Sequence, residues 1–426
     1  MLIEFRVKNF RSLRDEQVFS MVASSDKELL DTHALKTGLK AAPHVLQTAA
    51  IYGANASGKS NLIKALQFMR GVVVESATLV QPGQSFERLQ SFRLDSRTAN
   101  ERTEFEVTFL IEGVRYKYGF AMTQKRIIRE YLYVYKAFKP QTWFERQLDP
   151  EKDIDIYNET TALKGDKKLW QRQTRENCLF LSMAAQLNSA MLGPVFSWFL
   201  NDLIIINEQS SLGLEFTVQQ LEDSDAKRQI INFLRSADFA VDDIEIEKKS
   251  VPSHTISFDF HTGKSESVMQ EIEQTNVSFL HRTIQGEARF GLHDESSGTR
   301  VFLMISGPLF DILKKGKTIV YDELETSLHP KLVREIIDLF HEPRINTYGA
   351  QLIFATHNVS LLDVYGLLRR DQIWFIEKNK DQASSLIPLS EFSPRKGEAI
   401  GRGYLQGRYG AIPFLQEDLG LIANGQ

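Results

Sequence analysis

The segment Gly53-Ala54-Asn55-Ala56-Ser57-Gly58-Lys59-Ser60 fits the pattern G-x-x-x-x-G-K-[ST] at every defined position. An apolar run at 45–52 precedes it, and an amphipathic run at 61–69 follows it. Strand, glycine loop and helix in this order are typical of the phosphate loop of α/β nucleotide-binding proteins. The glycines let successive backbone N–H groups face a phosphate, and the helix adds its positive N-terminal end. The pattern therefore predicts nucleoside triphosphate binding.

The residue types in this loop also predict the two ligands. Lys59 is expected to reach the β- and γ-phosphates of ATP, and the Ser60 hydroxyl to coordinate Mg²⁺. The competing interpretation is a plain glycine turn ahead of a helix, which the Lys-Ser pair makes the weaker one. The residues predicted to contact the nucleotide here are Gly53, Asn55, Ala56, Ser57, Gly58, Lys59, Ser60 and Asn61.

An acidic element lies far along the chain, in the segment Thr318-Ile319-Val320-Tyr321-Asp322-Glu323. An apolar strand that ends in two acids puts both carboxylates at the carboxyl edge of a sheet, where a phosphate-loop fold binds its nucleotide. Asp322 is expected to hold Mg²⁺ through water, and Glu323 to polarise the water that attacks the γ-phosphate. The alternative is a surface strand end with two solvated acids, which is the weaker interpretation beside a complete phosphate loop.

Two further segments carry candidate site residues. The apolar run 352–355 is followed by Thr356-His357-Asn358, and His357 is predicted to hydrogen-bond the γ-phosphate and sense its presence. The segment Glu295-Ser296-Ser297-Gly298-Thr299 precedes an apolar helical run at 301–313, and small hydroxyl residues at a helix N-terminus can bind an anion. Taken alone, a strand-end histidine is usually structural, and the second segment reads as an ordinary helix cap. The candidate nucleotide-binding residues of that segment are Ser296, Ser297 and Gly298.

These four elements in this order resemble the ATP-binding-cassette superfamily, and more closely its soluble, AAA-type branch of SMC, RecF and OLD proteins. The opening Val7-Lys8-Asn9-Phe10-Arg11-Ser12-Leu13 is similar to the N-terminal strand and turn of that branch. The resemblance implies that Arg11 lies near the nucleotide. It also implies a homodimer or higher homo-oligomer, in which Ser296 of one chain caps the ATP that its partner binds.

Spacing along the chain indicates an inserted domain. Lys59 and Ser296 are 237 positions apart (296 − 59), which is far more than the corresponding gap in transporter cassettes. SMC proteins place a coiled coil in this gap, but no heptad run of sufficient length occurs here. A compact mixed segment is expected instead.

The region after the acidic strand narrows the resemblance. Residues 324–330, Leu-Glu-Thr-Ser-Leu-His-Pro, are similar to the PExxLHP element of OLD-like ATPases, with Leu324 in place of proline. The segments 52–62, 295–299 and 404–413 together resemble stand-alone bacterial ATPases of the RloA/AbiL type. That resemblance implies a role in phage defence or abortive infection beside a separate effector protein, for which a nuclease is the expected class.

A nuclease within this chain is not expected. OLD nucleases carry a C-terminal Toprim domain with spaced acidic metal ligands, whereas only 69 residues follow His357 (426 − 357), without an Asp-x-Asp pair. Direct nucleic-acid binding is left open. The residues Lys167, Lys168, Arg172 and Arg175 form a basic cluster, although such clusters are mostly solvated surface.

Composition sets few further limits. The net charge of −4 indicates neither nucleic-acid nor membrane binding. The single cysteine, Cys178, excludes an intramolecular disulfide. No apolar run approaches 18 residues, and the N-terminus lacks the apolar core of a signal peptide. A cytoplasmic enzyme without membrane contact is the expectation.

The predicted fold class is α/β: a P-loop ABC-type ATPase head with an antiparallel β subdomain and an inserted mixed α/β segment. The predicted parts are 1–138, with the phosphate loop and a β-meander, 139–285, an inserted and largely helical domain, and 286–426, the C-terminal part of the head. Expected elements include one strand at 45–52, a helix pair within 177–203, a helix at 219–237 and strands at 255–260 and 288–292. Residues 140–175 show no clear period.

Three functions fit these observations. The leading one is an ATP-driven, dimerising switch that controls a separate effector. A RecF-like DNA-repair ATPase is the second, and it predicts salt-sensitive DNA binding that stimulates hydrolysis. The third is a nucleotide-dependent assembly scaffold whose hydrolysis is very slow.

Overall fold

The structure, a computed structural model, describes residues 1–136, 139–206, 214–258, 265–326, 328–395 and 397–412. The chain forms two compact units. The first comprises residues 1–210, 312–326 and 333–426, and the second comprises residues 211–311 and 327–332. No helix within the described ranges combines the length and apolar character that crossing a membrane requires.

The strands, in chain order, are β1 (Leu2–Lys8), β2 (Gln17–Ser20), β3 (Ala34–Leu39), β4 (Ala42–Leu46), β5 (Thr48–Tyr52), β6 (Thr103–Ile111), β7 (Val114–Met122), β8 (Ile127–Tyr135), β9 (Gln141–Asp149), β10 (Ile154–Glu159), β11 (Leu203–Ile206), β12 (Asp243–Phe258), β13 (Ser265–Thr283), β14 (Gly286–Gly291), β15 (Thr318–Tyr321), β16 (Gln351–Ala355), β17 (Ile373–Lys378) and β18 (Ser384–Pro388). The helices are α1 (Leu30–His33), α2 (Lys59–Glu75), α3 (Lys167–Gln173), α4 (Phe180–Gln186), α5 (Gly193–Ser197), α6 (Leu214–Leu221), α7 (Ser224–Ser236), α8 (Ser297–Lys315), α9 (Pro330–His341) and α10 (Ile400–Leu405).

A six-stranded sheet in the first unit carries the predicted nucleotide-site segments of that unit. Its order is β11-β15-β16-β5-β17-β18, and only β18 runs antiparallel to its neighbour. All residues of β5 and β16 are buried, as is typical of parallel strands that are covered on both faces. Because β15, β16 and β5 are adjacent and parallel, their carboxyl ends meet at one edge of the sheet.

A second sheet of the first unit is antiparallel, with the order β10-β9-β8-β7-β6-β1-β2. Period-2 alternation explains much of its packing: Phe105, Val107 and Phe109 of β6 are buried, while Glu104 before them and Glu106 between the first two are partly exposed. Phe105 contacts Phe68 of α2, with ring centroids 5.7 Å apart. The inner face of this sheet therefore packs on the helix that follows the phosphate loop.

The second unit contains α6, α7, the strands β12–β14 and most of α8. Strands β12 and β13 pair antiparallel from Asp243↔Leu280 to Phe258↔Ser265, which makes a hairpin of unusual length. Phe233 of α7 stacks on Phe302 of α8 at 4.4 Å between ring centroids. The unit is thus a helical core joined to a long β-hairpin. In the sequence, the described residues between the phosphate loop and Ser296 include this long hairpin in addition to a compact mixed segment.

The predicted fold class is confirmed, but several predicted elements differ in their extent. The expected strand at 45–52 is two strands, because β4 ends at Leu46 and β5 begins at Thr48. The predicted helix at 219–237 is also two elements. Asp223 separates α6 from α7 by accepting hydrogen bonds from the backbone N–H groups of Asp225 and Ala226 as an N-cap. The strands expected at 255–260 and 288–292 overlap β12 and β14, which begin at Asp243 and Gly286; residues 259–260 lie outside the described residues.

The region 139–285 differs most from the prediction. Its first part supplies β9 and β10, which extend the antiparallel sheet of the first unit, so the compact units divide at 210/211 and not at 138/139. The expected helix pair at 177–203 consists of α4, α5 and a π turn at Trp198–Asp202, while Leu203 begins β11. The described part of this region contains more strand than helix, because the hairpin alone spans most of 243–283.

Candidate functional site

The phosphate loop lies between β5 and α2, as the sequence predicts. Gly58 has φ 122°, a backbone conformation that residues with a side chain rarely adopt, and Ala56 has φ 61°. A Cβ on Gly53 would lie 2.5 Å from the carbonyl oxygen of Ile376, and one on Gly58 would lie 2.9 Å from the Cβ of Ser384. Both glycines are therefore required by close contact with β17 and β18. The tips of the loop, Asn55 and Ala56, are exposed.

Lys59 shows how the loop is prepared for an anion. Its side chain is buried, and its Nζ donates hydrogen bonds to the carbonyl oxygens of Gly53 (2.8 Å) and Ala54 (3.1 Å). Burial lowers the pKa of Lys59 to about 8, although Asp322, Glu323 and Glu325 act in the opposite direction. Burial disfavours the charged form of Lys59, and a phosphate beside the ammonium group would favour that form. The Lys59 ammonium and the closely packed glycines Gly53 and Gly58 therefore fit a nucleotide phosphate.

Ser57 and Ser60 complete the polar lining of the loop. Ser57 is buried, and its Oγ has no hydrogen-bond partner in the part of the chain that the structure describes. A buried hydroxyl in this condition is costly unless a ligand or water satisfies it. Ser60, the predicted Mg²⁺ ligand, lies in the first turn of α2 and is half-buried.

The N-terminal turn packs directly on the phosphate loop. Asn61 donates from Nδ2 to Ser12 Oγ (2.8 Å), and Ser384 Oγ lies 2.8 Å from the same atom. Ser384 Oγ also donates to the carbonyl oxygen of Ser57 at 2.6 Å. Asn61, predicted as a nucleotide contact, thus uses its amide group to hold the turn. Ser12 and Ser384 are site residues that no sequence pattern identified.

Arg11 occupies the same turn, and its φ is 52°. Its backbone N–H donates to Gln90 (2.7 Å), and its guanidinium lies 5.7 Å from the centroid of the Phe10 ring. Partial burial lowers the pKa of Arg11, and its Nε is buried without a hydrogen-bond partner among the described residues. A role of Arg11 toward nucleotide remains a prediction.

The acidic strand ends where the sequence predicts. Asp322 is buried, and its backbone N–H donates to Ile206 of β11 at 2.9 Å. Glu323 has φ 60°, a left-handed conformation, so the chain turns sharply here. The next residue, Leu324, donates its N–H to the carbonyl oxygen of Ala355 at 3.3 Å. This turn places the acids beside the end of β16.

His357 follows β16 and belongs to the same group of charges. Partial burial and then Lys59 lower the pKa of His357, while Glu325, Glu323 and Asp322 act to raise it. The three carboxylates that act on Lys59 therefore also act on His357. The structure thus brings Lys59, Asp322, Glu323 and His357, predicted from three separate segments, together at one sheet edge. Glu325 joins them; it lies within residues 324–330, and the sequence pattern alone assigns it no role.

The segment Ser296–Gly298 lies in the second unit. Ser296 Oγ accepts a hydrogen bond from the backbone N–H of Thr299 (3.1 Å) and lies 2.8 Å from its Oγ1. It is therefore the N-cap of α8. Ser296 and Ser297 are exposed, and Gly298 is half-buried. Neither the capping of α8 by Ser296 nor the exposure of these residues tests a contact with nucleotide. That contact stays a prediction for Ser296, Ser297 and Gly298.

The described part of the C-terminal segment 404–413 packs against the strand that precedes the phosphate loop; Pro413 lies outside the described residues. Phe375 of β17 stacks between Tyr404 (5.2 Å between centroids) and Tyr409 (5.5 Å), and Tyr404 also contacts Tyr52. Ala411 donates its N–H to Glu377 at 3.0 Å. This segment thus supports the phosphate-loop strand.

One residue of the predicted basic cluster has a structural role. The Arg175 guanidinium donates to the carbonyl oxygens of Ser76 (3.1 Å) and Val80 (2.8 Å), so it anchors the C-terminal end of α2. Lys167 donates to Thr160 at 3.2 Å. The cluster is therefore a weaker candidate for nucleic-acid binding than its sequence indicates.

Comparison with known proteins gives one family and a set of similar structures. The family described as "AAA domain, putative AbiEii toxin, Type IV TA system" matches residues 49–363, well over half of the chain. No curated protein matches.

Similar solved structures include the SMC head domain from Thermotoga maritima, with 14% identity, a TM-score of 0.40, and coverage of 91% of this chain and 98% of that chain. The Smc head domain with an extended coiled coil from Pyrococcus furiosus, bound to the C-terminal domain of ScpA, has 12% identity, a TM-score of 0.41 and coverage of 92% and 97%. An SmcHead bound to the C-winged helix domain of ScpA has 12% identity, a TM-score of 0.38 and coverage of 91% and 96%.

Proposed function

This chain belongs to the AAA-domain family that matches residues 49–363, and from that premise we propose that it is an ATP-hydrolysing switch that dimerises and controls a separate effector protein. One observation carries the proposal. Lys59, Asp322, Glu323 and His357 come from three adjacent parallel strands or the elements that follow them, and they share one electrostatic environment at a single sheet edge.

The residues that would bind ATP have separable tasks. The loop between Gly53 and Gly58 would surround the phosphates, and the Lys59 ammonium would exchange its carbonyl partners for phosphate oxygens. Ser60 and Asp322 would hold Mg²⁺, which when bound neutralises charge on the phosphates.

Hydrolysis is assigned to Glu323 and His357. Glu323 would accept a proton from the attacking water. The water oxygen bonds to the γ-phosphorus, and the bond from that phosphorus to ADP breaks. The imidazole of His357 has a lowered pKa and is neutral near pH 7, so it can donate one hydrogen bond to a γ-phosphate oxygen without carrying a full charge. Such a donor is suited to sense whether the γ-phosphate is present.

The dimer is the part of the proposal that depends on Ser296–Gly298. These residues lie at an exposed helix N-terminus, and such an end favours anions. We place this helix end of one copy on the γ-phosphate that a second copy binds. ATP binding would then close the dimer, and hydrolysis would open it.

Control of a separate effector is the part of the proposal that goes furthest beyond the site geometry. Support comes from the description of the family, which refers to a toxin of a toxin–antitoxin system, and from the RloA/AbiL resemblance of the phosphate loop and C-terminal segment. The proposal is a cytoplasmic ATPase of phage defence or abortive infection, with a nuclease as the effector class.

Two measurements on the purified protein test the ATPase switch. Turnover of ATP with Mg²⁺ is expected without nucleic acid, and size-exclusion chromatography with non-hydrolysable ATP analogue is expected to show a larger species than with ADP. Turnover that requires DNA and falls with added salt would favour a DNA-repair ATPase instead. Assembly on ATP without measurable turnover would favour a scaffold.

A further inference from the structure

Glu325 connects the ends of two strands of the candidate site. It follows the sharp turn at Glu323, after β15, and its Oε1 accepts a hydrogen bond from the backbone N–H of His357, after β16. A second contact runs in parallel, from the N–H of Leu324 to the carbonyl oxygen of Ala355 (3.3 Å). The backbone at His357 is therefore held from the acidic strand by a side chain.

His357 needs such an anchor. Its side chain is exposed, and His357 lies in a short turn across which the N–H of Asn358 donates to Thr356 Oγ1 (3.0 Å), before the 3-10 helix Val359–Asp363. An exposed imidazole whose backbone was free to move could not hold a hydrogen bond to a phosphate oxygen in a fixed direction. A fixed backbone at His357 therefore limits the positions that its imidazole can reach.

The other oxygen of Glu325 is shielded from solvent. Oε2 is buried and has no hydrogen-bond partner within the described residues. The charged groups that act on His357 are Lys59 from α2, and Glu325, Glu323 and Asp322 from the segment after β15. Glu325 is half-buried and belongs to the group of charges that acts on His357 at this sheet edge.

We propose that Glu325 is a positioning residue for ATP hydrolysis, because its carboxylate fixes the backbone of His357 and so aims the imidazole at the γ-phosphate. This assignment rests on the proposed ATPase function. Glu323 remains the proton acceptor, and Glu325 acts through His357.

Two conservative variants separate reach from charge. Glu325→Gln keeps the length and an acceptor oxygen but loses the charge, whereas Glu325→Asp keeps the charge but is one methylene too short to reach the His357 N–H. We expect Glu325→Gln to lower kcat by about threefold and Glu325→Asp by about tenfold or more, with KM for ATP little changed in both. The reverse order would overturn the proposal, because charge and not reach would then be required.

A double-mutant cycle with His357→Ala tests whether Glu325 acts through His357. If it does, Glu325→Asp combined with His357→Ala should be no slower than His357→Ala alone. Multiplying losses would overturn the proposal, because Glu325 would then act independently.

Hydrogen exchange at the amide of residue 357 gives a readout that does not depend on turnover. Exchange should be slow in the parent and in Glu325→Gln, and faster in Glu325→Asp. A parent protein without ATPase activity that shows this pattern would refute the proposed function while the contact stands. Equal exchange in all three proteins would overturn the positioning role itself.

Discussion

Ser384 occupies the space into which a side chain on Gly58 would project. A Cβ at position 58 would lie 2.9 Å from the Cβ of Ser384 and closer still to its hydroxyl, while Ser384 Oγ holds the carbonyl oxygen of Ser57 at 2.6 Å. Gly58, the second glycine of the phosphate-loop motif, and Ser384, the first residue of β18, are therefore packed so closely that a side chain at position 58 would clash. No pattern in the sequence links these two positions.

Gly58→Ala is expected to damage the loop. The φ of 122° and the contact with Ser384 should together cost roughly 1–3 kcal/mol of stability and lower ATP affinity more than tenfold. Gly71→Ala is the matched control, because Gly71 lies in α2 with open space at its Cβ position. Urea unfolding and isothermal titration check both variants. Equal stability of the two variants would contradict the fit of Gly58 to Ser384.

Lys59→Ala is expected to weaken ATP binding by roughly 10- to 100-fold, because it removes a charge-assisted contact in a site shielded from water. Lys64→Ala, five residues further along α2, is the control and should bind as the parent does. Isothermal titration with ATP and Mg²⁺ measures both. Parent-like affinity of Lys59→Ala would show that the nucleotide binds elsewhere.

Glu323→Gln is expected to separate binding from chemistry. The amide keeps the shape but cannot accept the proton of the attacking water, so kcat should fall roughly 100-fold or more while ATP still binds. The variant should then accumulate as the larger species on size-exclusion chromatography with ATP. Asp322→Asn should instead weaken the Mg²⁺ dependence of binding. Undiminished turnover of Glu323→Gln would move the proton acceptor to another residue.

Ser296→Arg tests whether one site uses residues from two chains. The bulky cation should leave ATP binding intact and block closure of the dimer, so turnover should be nearly lost. Mixing it with Lys59→Ala protein should restore part of the activity, because a mixed dimer contains one site with both Ser296 and Lys59 intact. Subunit exchange is verified with labelled protein. Parent-like activity of Ser296→Arg on its own would exclude the role of Ser296.

The stability of the first unit is expected to fall with acid below about pH 6.5, because His33 and His341 are buried as a stacked pair with ring centroids 3.6 Å apart. Burial lowers the pKa of both histidines, so the unfolded chain binds protons that the folded chain rejects. Their contribution is present above the unfolded pKa, about 6.5, and is lost as the pH falls toward the folded values.

The slope should reach at most about 1.4 kcal/mol per pH unit for each histidine. Urea unfolding between pH 5.5 and 7.5 measures this slope. His341→Gln should reduce it, because His33 alone then contributes, whereas His293→Gln, at an exposed position, should leave it unchanged. A parent protein with no slope in this range would contradict the prediction.

Local patterns predict the parts of the candidate site that lie within one segment. Gly58, Lys59, Asp322 and His357 are candidates from sequence because each belongs to a short motif whose chemistry depends on sequence neighbours. Their meeting depends on strand order: β16 lies between β5 and β15, and nothing in the three segments specifies that order. The contacts of Ser384 with Ser12 and Ser57 are likewise between distant parts of the chain, so no local signal could show them.

The strands β9 and β10 are not recognisable from the sequence for a different physical reason. Arg146 in β9 is completely buried, and its guanidinium bonds Asp155 of β10 (2.7 Å) and lies 3.8 Å from the buried Glu130 of β8. A buried charge breaks the alternation of apolar and polar residues by which strands are recognised. The compensating partner lies on another strand, so the sequence of β9 alone looks like a polar loop.

The serine contacts at the phosphate loop also bear on how the protein is made. Ser12 and Ser384 are 372 positions apart, and both must be present before the loop has the support seen here. During synthesis the glycine loop leaves the ribosome more than 300 residues before Ser384 does. Closing a loop of this size is slow compared with local helix formation. A growing chain would therefore lack this support for the phosphate loop until Ser384 has been synthesised, and we expect it to bind nucleotide only weakly before that point.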